Sequence, residues 1–103
     1  MVDYTDGKWT GMIATPDGNE YPVHFTFKTG NGKLTGTSQQ PQGVADLTEG
    51  HVEGDSLVFA FDNNGTQVWN NGIYYPDGDS ISLNIDYQGL KFHSTLRRDT
   101  DNK

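Results

Sequence analysis

Turn signals recur along this chain at nearly constant intervals, and this periodicity limits the fold more than any other feature. Glycine and asparagine supply the positive φ that tight hairpins need. Seven short segments carry such residues: Asp17-Gly18, Gly30-Asn31-Gly32, Gln42-Gly43, Glu53-Gly54-Asp55, Asn63-Asn64-Gly65, Asp77-Gly78-Asp79 and Gln88-Gly89. Their glycines lie 11 to 14 residues apart, which is one strand plus one turn. The sequence therefore predicts about eight consecutive hairpin strands.

Between the turns, apolar and polar residues alternate with a period of two. The alternation is clearest in residues 21–28, 57–61, 81–87 and 90–96, and it is typical of an antiparallel sheet with one buried face. A flat sheet of eight strands would leave that face exposed. We therefore predict an all-β fold, an antiparallel up-and-down meander of about eight strands forming a small closed or nearly closed barrel. Two packed sheets are the competing arrangement.

Length and charge limit the domain organisation and the partners. The 103 residues suit one domain, predicted over residues 1–98, with a polar C-terminal tail at 99–103. The net charge of −7 disfavours nucleic acid and anionic membranes as partners. No apolar run approaches the roughly 20 residues of a membrane span, so membrane insertion is not expected. The chain has no cysteine, which excludes disulfides and thiolate metal sites.

The first and last predicted strands carry a recognisable pair of motifs. Gly7-Lys8-Trp9 opens the first strand and Arg97-Arg98 closes the last. This pairing resembles the signature of the calycin superfamily, which includes lipocalins, fatty-acid-binding proteins and avidins. The resemblance implies that the indole of Trp9 plugs one barrel end while a guanidinium stacks on its face and caps backbone carbonyls. Arg98 is the preferred partner because it shares the parity of the apolar residues of the last strand.

Short motifs along nearly the whole chain are also similar to small secreted bacterial lipocalin-like domains of unassigned function. They are Gly7-Lys8-Trp9-Thr10-Gly11, Leu34-Thr35-Gly36-Thr37, Gly54-Asp55-Ser56 and Gly78-Asp79-Ser80. The resemblance implies a periplasmic or extracellular location, with a signal peptide outside this sequence; the alternative is a native start at Met1, which leaves the location open. The chain is shorter than typical lipocalins and shows no C-terminal helix pattern. Avidin-type biotin contacts do not map onto it, so biotin binding is not implied.

Catalytic and metal-binding chemistry finds little support in the residue pattern. His24, His51 and His93 show no close metal-ligand spacing, and neither a metal nor another cofactor is expected. No G-x-S-x-G motif is present, so no catalytic residue is assigned. The 14 carboxylates permit a glycosidase-like pair by number alone. They cluster at the predicted turns, however, where their role is to favour turn formation.

The most suggestive candidate binding residues are Trp69 and Tyr75, with the amides of Asn70 and Asn71 beside them. Flat aromatic area next to hydrogen-bonding amides suits sugars or small amphipathic ligands. The competing interpretation, which the alternation favours, places both rings in the barrel core with their polar tips reaching the rim.

Three functions follow from these patterns. The first is a non-enzymatic lipocalin-like barrel that binds a small apolar or amphipathic ligand at one barrel end, in a cavity opposite Trp9. The second is an accessory or interaction module of a bacterial envelope or carbohydrate-utilisation system, with a filled core and an exposed aromatic patch. The third, which the residues disfavour, is a small enzyme such as a glycosidase-like hydrolase, with polar groups converging inside the barrel. The interior is expected to be mostly filled, with at most a small pocket at an open end.

Overall fold

A computed structural model describes residues 5–40 and 43–99. Within them every regular element is a β-strand. In chain order the strands are β1 (Gly7–Ala14), β2 (Glu20–Gly30), β3 (Lys33–Gln40), β4 (Gly43–Asp46), β5 (Thr48–Glu53), β6 (Ser56–Asn63), β7 (Thr66–Tyr75), β8 (Ser80–Tyr87) and β9 (Leu90–Arg98). The alternating segments of the sequence form these strands.

The strands form a closed antiparallel barrel of eight strands with one additional short strand. Consecutive strands pair with one another except β4 and β5, which both pair with β3, and the circle closes where β1 meets β9 through Trp9 opposite Arg98 and Thr10 opposite Arg97. The backbone N–H of Asp99 extends this seam by donating to the carbonyl of Lys8 at 2.9 Å. The predicted meander barrel is therefore confirmed, and the described strands form one continuous sheet instead of two packed ones.

The additional strand arises from an interruption between the third and fourth hairpin turns. Both β4 and β5 pair with β3, β4 towards its end and β5 at its start, where Lys33 lies opposite His51. The register shifts between Thr48 and His51, and Glu49 takes a φ of 54° there. The bulge lies within β5, whereas the predicted strand is divided at Leu47, whose backbone N–H donates to the carbonyl oxygen of Gly36 on β3. Of the predicted Gln42-Gly43 turn, Gln42 lies outside the described residues. Residues 1–4 and residues 100–103 of the predicted C-terminal tail also lie outside them.

Three two-residue turns set the register of their hairpins. Asn31, Asn64 and Gln88 each adopt a φ between 53° and 54° and are each followed by a glycine with positive φ. Positive φ at both central positions defines the turn whose twist matches that of paired strands. Because these loops contain only two residues, the strand residues that flank them must pair, which fixes the inward face of each following strand.

Gly36 permits the close packing of β3 against β2. It has a φ of 141°, and a Cβ atom built on it would lie 1.8 Å from the carbonyl oxygen of Thr26. No L side chain fits at that distance. Glycine at this position therefore allows the sheet to curve without separating the strands.

The barrel has two different ends. One, here called the closed end, carries the β2–β3, β5–β6 and β7–β8 turns and the start of β1. The other, here called the open end, carries the β1–β2, β6–β7 and β8–β9 turns. The buried core combines residues from most strands, namely Trp9, Phe25, Phe27, Leu34, Leu47, Leu57, Phe59, Phe61, Val68, Ile81, Leu83, Ile85 and Leu96. Its largest side chain, Trp9, belongs to the closed end.

Candidate ligand-binding site

Trp9 seals the closed end of the barrel. Its side chain is fully buried, and its Nε1 donates a hydrogen bond to the carbonyl oxygen of Thr5 at 3.0 Å. The guanidinium carbon of Arg98 lies 4.3 Å from the centroid of the indole, within cation–π range. Nη1 of Arg98 also donates to the carbonyl oxygen of Asp6 at 2.6 Å. Of the two adjacent arginines, Arg98 thus makes the stacking and capping contacts, while Arg97 pairs with Ser80 on β8.

A carboxylate and a phenol extend this arrangement at the surface. Nε of Arg98 donates to Asp79 at 3.0 Å, and the hydroxyl of Tyr74 donates to the same carboxylate at 2.8 Å. The Tyr74 ring meets Trp9 edge-on, with centroids 6.3 Å apart. The hydrogen bond from Arg98, helped by that from Tyr74, lowers the pKa of Asp79, and the same carboxylate raises the pKa of Tyr74. Arg98, Asp79 and Tyr74 therefore use their polar groups in contacts with one another at the closed end.

A pocket opens at the other end of the barrel, opposite Trp9. Its volume is about 380 Å³, within the range of small-molecule sites. Its walls are mostly apolar and come from β1, β2, β3, β6, β7, β8, β9 and the β1–β2 turn; they comprise Ile13, Thr15, Tyr21, Pro22, Val23, Phe25, Ser38, Gln39, Phe61, Asn63, Val68, Asn70, Ile85, Tyr87 and Phe92. The interior is therefore filled in its closed half and hollow in its open half.

Asn70 forms part of the inner wall of this pocket. It lies opposite Phe59 on β6 and Ile85 on β8, one level deeper than Val68 and two levels deeper than Thr66, the first residue of β7. The residue is fully buried. Its Nδ2 donates to the carbonyl oxygen of Val68 at 3.3 Å, whereas its Oδ1 has no partner among the described residues. A buried acceptor without a partner is costly, and here it belongs to a residue that lines the pocket.

The four candidate residues of β7 do not lie together. Asn70 faces the interior, while Trp69, Asn71 and Tyr75 face outward, and the exposed fractions of Trp69 and Tyr75 are 42% and 51%. The interpretation of both rings as barrel core is therefore wrong. The physical reason is register: the Asn64-Gly65 turn places Val68 opposite Phe61, and since Phe61 is buried, Val68 and every second residue after it must face inward.

The outward residues of β7 form an exposed strip, defined here as Trp69, Asn71, Ile73 and Tyr75. Ile73 is 40% exposed, so three large apolar side chains of the strip reach solvent. Asn71 lies opposite Asn84 on β8, and both line a shallow groove on the outer surface. The strip therefore combines aromatic area with amide groups, separately from the pocket.

Sequence reasoning missed two features of this molecule. One is the lining of the pocket: a small pocket at an open end was expected, but its walls come from seven strands, and no local pattern reports which side chains enclose the space. The other is an exposed hydrogen bond of 2.7 Å between Oγ of Ser82 and Nε2 of His93 on the outer face of β8 and β9. The two-residue Gln88-Gly89 turn contains the signal for it, since it pairs Ser82 with Thr95 and Asn84 with His93.

The described residues that line the pocket include no lysine, arginine, histidine or carboxylate. Polar groups suited to hydrolysis therefore do not converge there. In residues 5–40 and 43–99, no group of three or more histidines and carboxylates is arranged to hold a metal ion. The same residues contain no helix with the length and apolar character to cross a membrane.

Comparisons with known proteins leave the interpretation to the geometry. No protein-family model matches the chain, and no curated protein matches it significantly.

Proposed function

We propose that this protein binds a small apolar ligand in the open end of its barrel. The pocket of about 380 Å³ opposite Trp9 carries the proposal. Its lining is largely aliphatic and aromatic, so a ligand that enters it removes apolar surface from water on both sides. The stacking of Arg98 on Trp9 at 4.3 Å supports the resemblance to the calycin superfamily, in which the end opposite the plug is the ligand entrance.

A neutral fluorescent probe tests this proposal directly. N-phenyl-1-naphthylamine, which brightens in apolar surroundings, should bind the parent protein with a saturable increase in emission. Ile13→Trp places a large side chain in the pocket lining and should weaken probe binding at least about tenfold, since it occupies the same space. Met12→Trp is the matched control, because Met12 is the next residue along β1 and is 48% exposed.

Two outcomes of this binding experiment would contradict the proposed site. Equal probe binding by the parent and Ile13→Trp would place the probe elsewhere on the surface. Absence of saturable binding by the parent, in a screen extended to other neutral apolar molecules, would reject the proposal.

A second candidate function rests on the exposed strip. Trp69 and Tyr75 lie on the same face of one strand, six residues apart, which corresponds to roughly 20 Å along an extended chain. That length suits an oligosaccharide more than a single sugar ring, and Asn71 and Asn84 between them offer amide hydrogen bonds. Titration with a panel of oligosaccharides should quench or shift the emission of Trp69 in the parent protein. An unchanged spectrum throughout would reject this candidate.

A further inference from the structure

We infer that the pocket selects neutral ligands that bring a hydrogen-bond donor into the barrel, such as hydrophobic alcohols and phenols, over ethers and carboxylates of the same size. This inference rests on the proposed function and specifies its ligand class. It follows from three properties of the pocket, namely an acceptor without a partner at its inner wall, the absence of cationic side chains from its described lining, and acidic residues around its entrance.

The acceptor is Oδ1 of Asn70. The amide is held in place by the hydrogen bond from its Nδ2 to the carbonyl oxygen of Val68 at 3.3 Å, which leaves Oδ1 as the free atom of the group. A hydroxyl or N–H that reaches this oxygen provides the missing donor. A ligand with only acceptors instead covers Oδ1 with atoms that cannot satisfy it, and a buried unsatisfied acceptor lowers affinity.

The lining offers no charge to balance an anion. Its described members are uncharged, and those able to donate to a carboxylate are neutral polar side chains such as Gln39 and Tyr87. Transfer of a carboxylate from water into such surroundings without a cationic partner is strongly unfavourable. A carboxylate is therefore restricted to the rim, where water still reaches it.

The rim itself repels anions. Asp17 and Glu20 lie in or beside the β1–β2 turn, Asp62 precedes the rim residue Asn63, and Asp86 precedes the rim residue Tyr87. Among the described residues Lys91 is close to this group, and its ammonium is paired with Asp86 at 2.6 Å. The net negative charge at the entrance disfavours the approach of anionic ligands.

The aromatic side chains of the lining make a phenol the best probe class. Phe25, Phe61, Phe92 and Tyr87 surround the space, and aromatic rings pack favourably edge-to-face. Three ligands of similar size separate the effects: 4-propylphenol, its isomer 4-ethylanisole, which lacks the donor, and 4-propylbenzoate, which carries the charge.

Isothermal titration calorimetry at neutral pH measures the three affinities with the full chain. We expect 4-propylphenol to bind at least about tenfold more tightly than 4-ethylanisole, and 4-propylbenzoate to bind more weakly than both. In Asn70→Leu the ratio between phenol and ether should fall to about twofold or less, because the acceptor is gone. Asn71→Leu is the matched control, since it changes the same residue type on the outer face of the same strand and should keep the parent ratio.

Each failure has a distinct meaning. Equal binding of phenol and ether by the parent, or benzoate binding as tight as the phenol, would overturn the donor selectivity while leaving the pocket as a binding site. A parent ratio that persists in Asn70→Leu would overturn the role of Asn70. No binding of any of the three would reject the inference together with the proposed function. If Asn70→Leu does not fold, the comparison of the isomers on the parent protein still decides the selectivity.

Discussion

The two tryptophans of this protein have opposite environments, and a single substitution at each distinguishes them. Trp9 is fully buried beneath Arg98, whereas Trp69 is 42% exposed on the outer face. We expect Trp9→Ala to lower the free energy of unfolding by about 3–5 kcal/mol, as large truncations in a core do. Trp69→Ala should cost about 1 kcal/mol or less. Urea denaturation of the two variants measures both values, and similar losses would contradict the assignment of Trp69 to the surface.

The contact between Trp9 and Arg98 should appear as coupling between their mutations. Arg98→Ala removes the stacked guanidinium and its hydrogen bonds to Asp6 and Asp79. Because the two side chains touch, the loss in the double variant should be smaller than the sum of the single losses by roughly 0.5–3 kcal/mol. Chemical denaturation of all four proteins gives this difference. Strict additivity would show that the stacking contributes nothing, and Arg97→Ala provides the neighbouring control.

The stability of the closed end should depend on acid through Asp79. The hydrogen bond from Arg98 lowers the pKa of this carboxyl in the folded protein, so the unfolded chain binds the proton more readily. The associated stability is therefore present at neutral pH and is lost as the pH falls below about 4. Asp79→Asn keeps a residue that tolerates the observed φ of 51° and should show a shallower loss of the urea midpoint between pH 6 and pH 3. Asp77→Asn, in the same turn, should follow the parent curve; a parallel curve for Asp79→Asn would contradict the role of this pair.

At the scale of the strands, curvature depends on close backbone approach. A Cβ on Gly36 would lie 1.8 Å from the carbonyl oxygen of Thr26, whereas one on Gly30, at the end of β2, would meet no atom within 4 Å. Gly36→Ala should therefore lower the free energy of unfolding by more than about 2 kcal/mol, because β3 must move away from β2. Gly30→Ala should change it by less than about 1 kcal/mol. Thermal unfolding followed by circular dichroism compares the two, and equal midpoints would show that β3 can shift without cost.

The hairpin turns contain the information that identifies the inward residues of β7, although the size of the side chains predicts the opposite face. Apolar size alone favours Trp69 and Tyr75 as core residues. The two-residue Asn64-Gly65 turn favours the opposite face, because it pairs Asn63 with Thr66 and so aligns Phe61 with Val68. Register across a tight turn is a stricter constraint than hydrophobicity, since a slip of one residue reverses every side chain of the strand.

At the scale of the whole molecule, the barrel combines a sealed end and an open end. This polarity predicts that ligand binding and solvent access are confined to one half. The indole N–H of Trp9, hydrogen-bonded to Thr5, should exchange with deuterium only on global unfolding, while that of Trp69 should exchange within the dead time. NMR spectra with and without N-phenyl-1-naphthylamine should show shifts at open-end residues such as Phe92 and an unchanged Trp9 signal. Shifts centred on Trp9 would place the binding site at the wrong end.

The sequence by itself determined the all-β class and the order of about eight hairpin strands, and its resemblance to the calycin superfamily implied the plug formed by Trp9. The strand class and order depend on local chemistry, namely positive φ at turns and alternation within strands. Only the tertiary structure decided that β4 and β5 are separate, that Asn70 is buried while Trp69 is exposed, and that a cavity of about 380 Å³ remains at the open end. A cavity is the difference between the volume that a closed barrel encloses and the volume of the side chains that seven strands project into it. No single segment of the chain determines that remaining volume, because it depends on how all the strands pack together in the closed barrel.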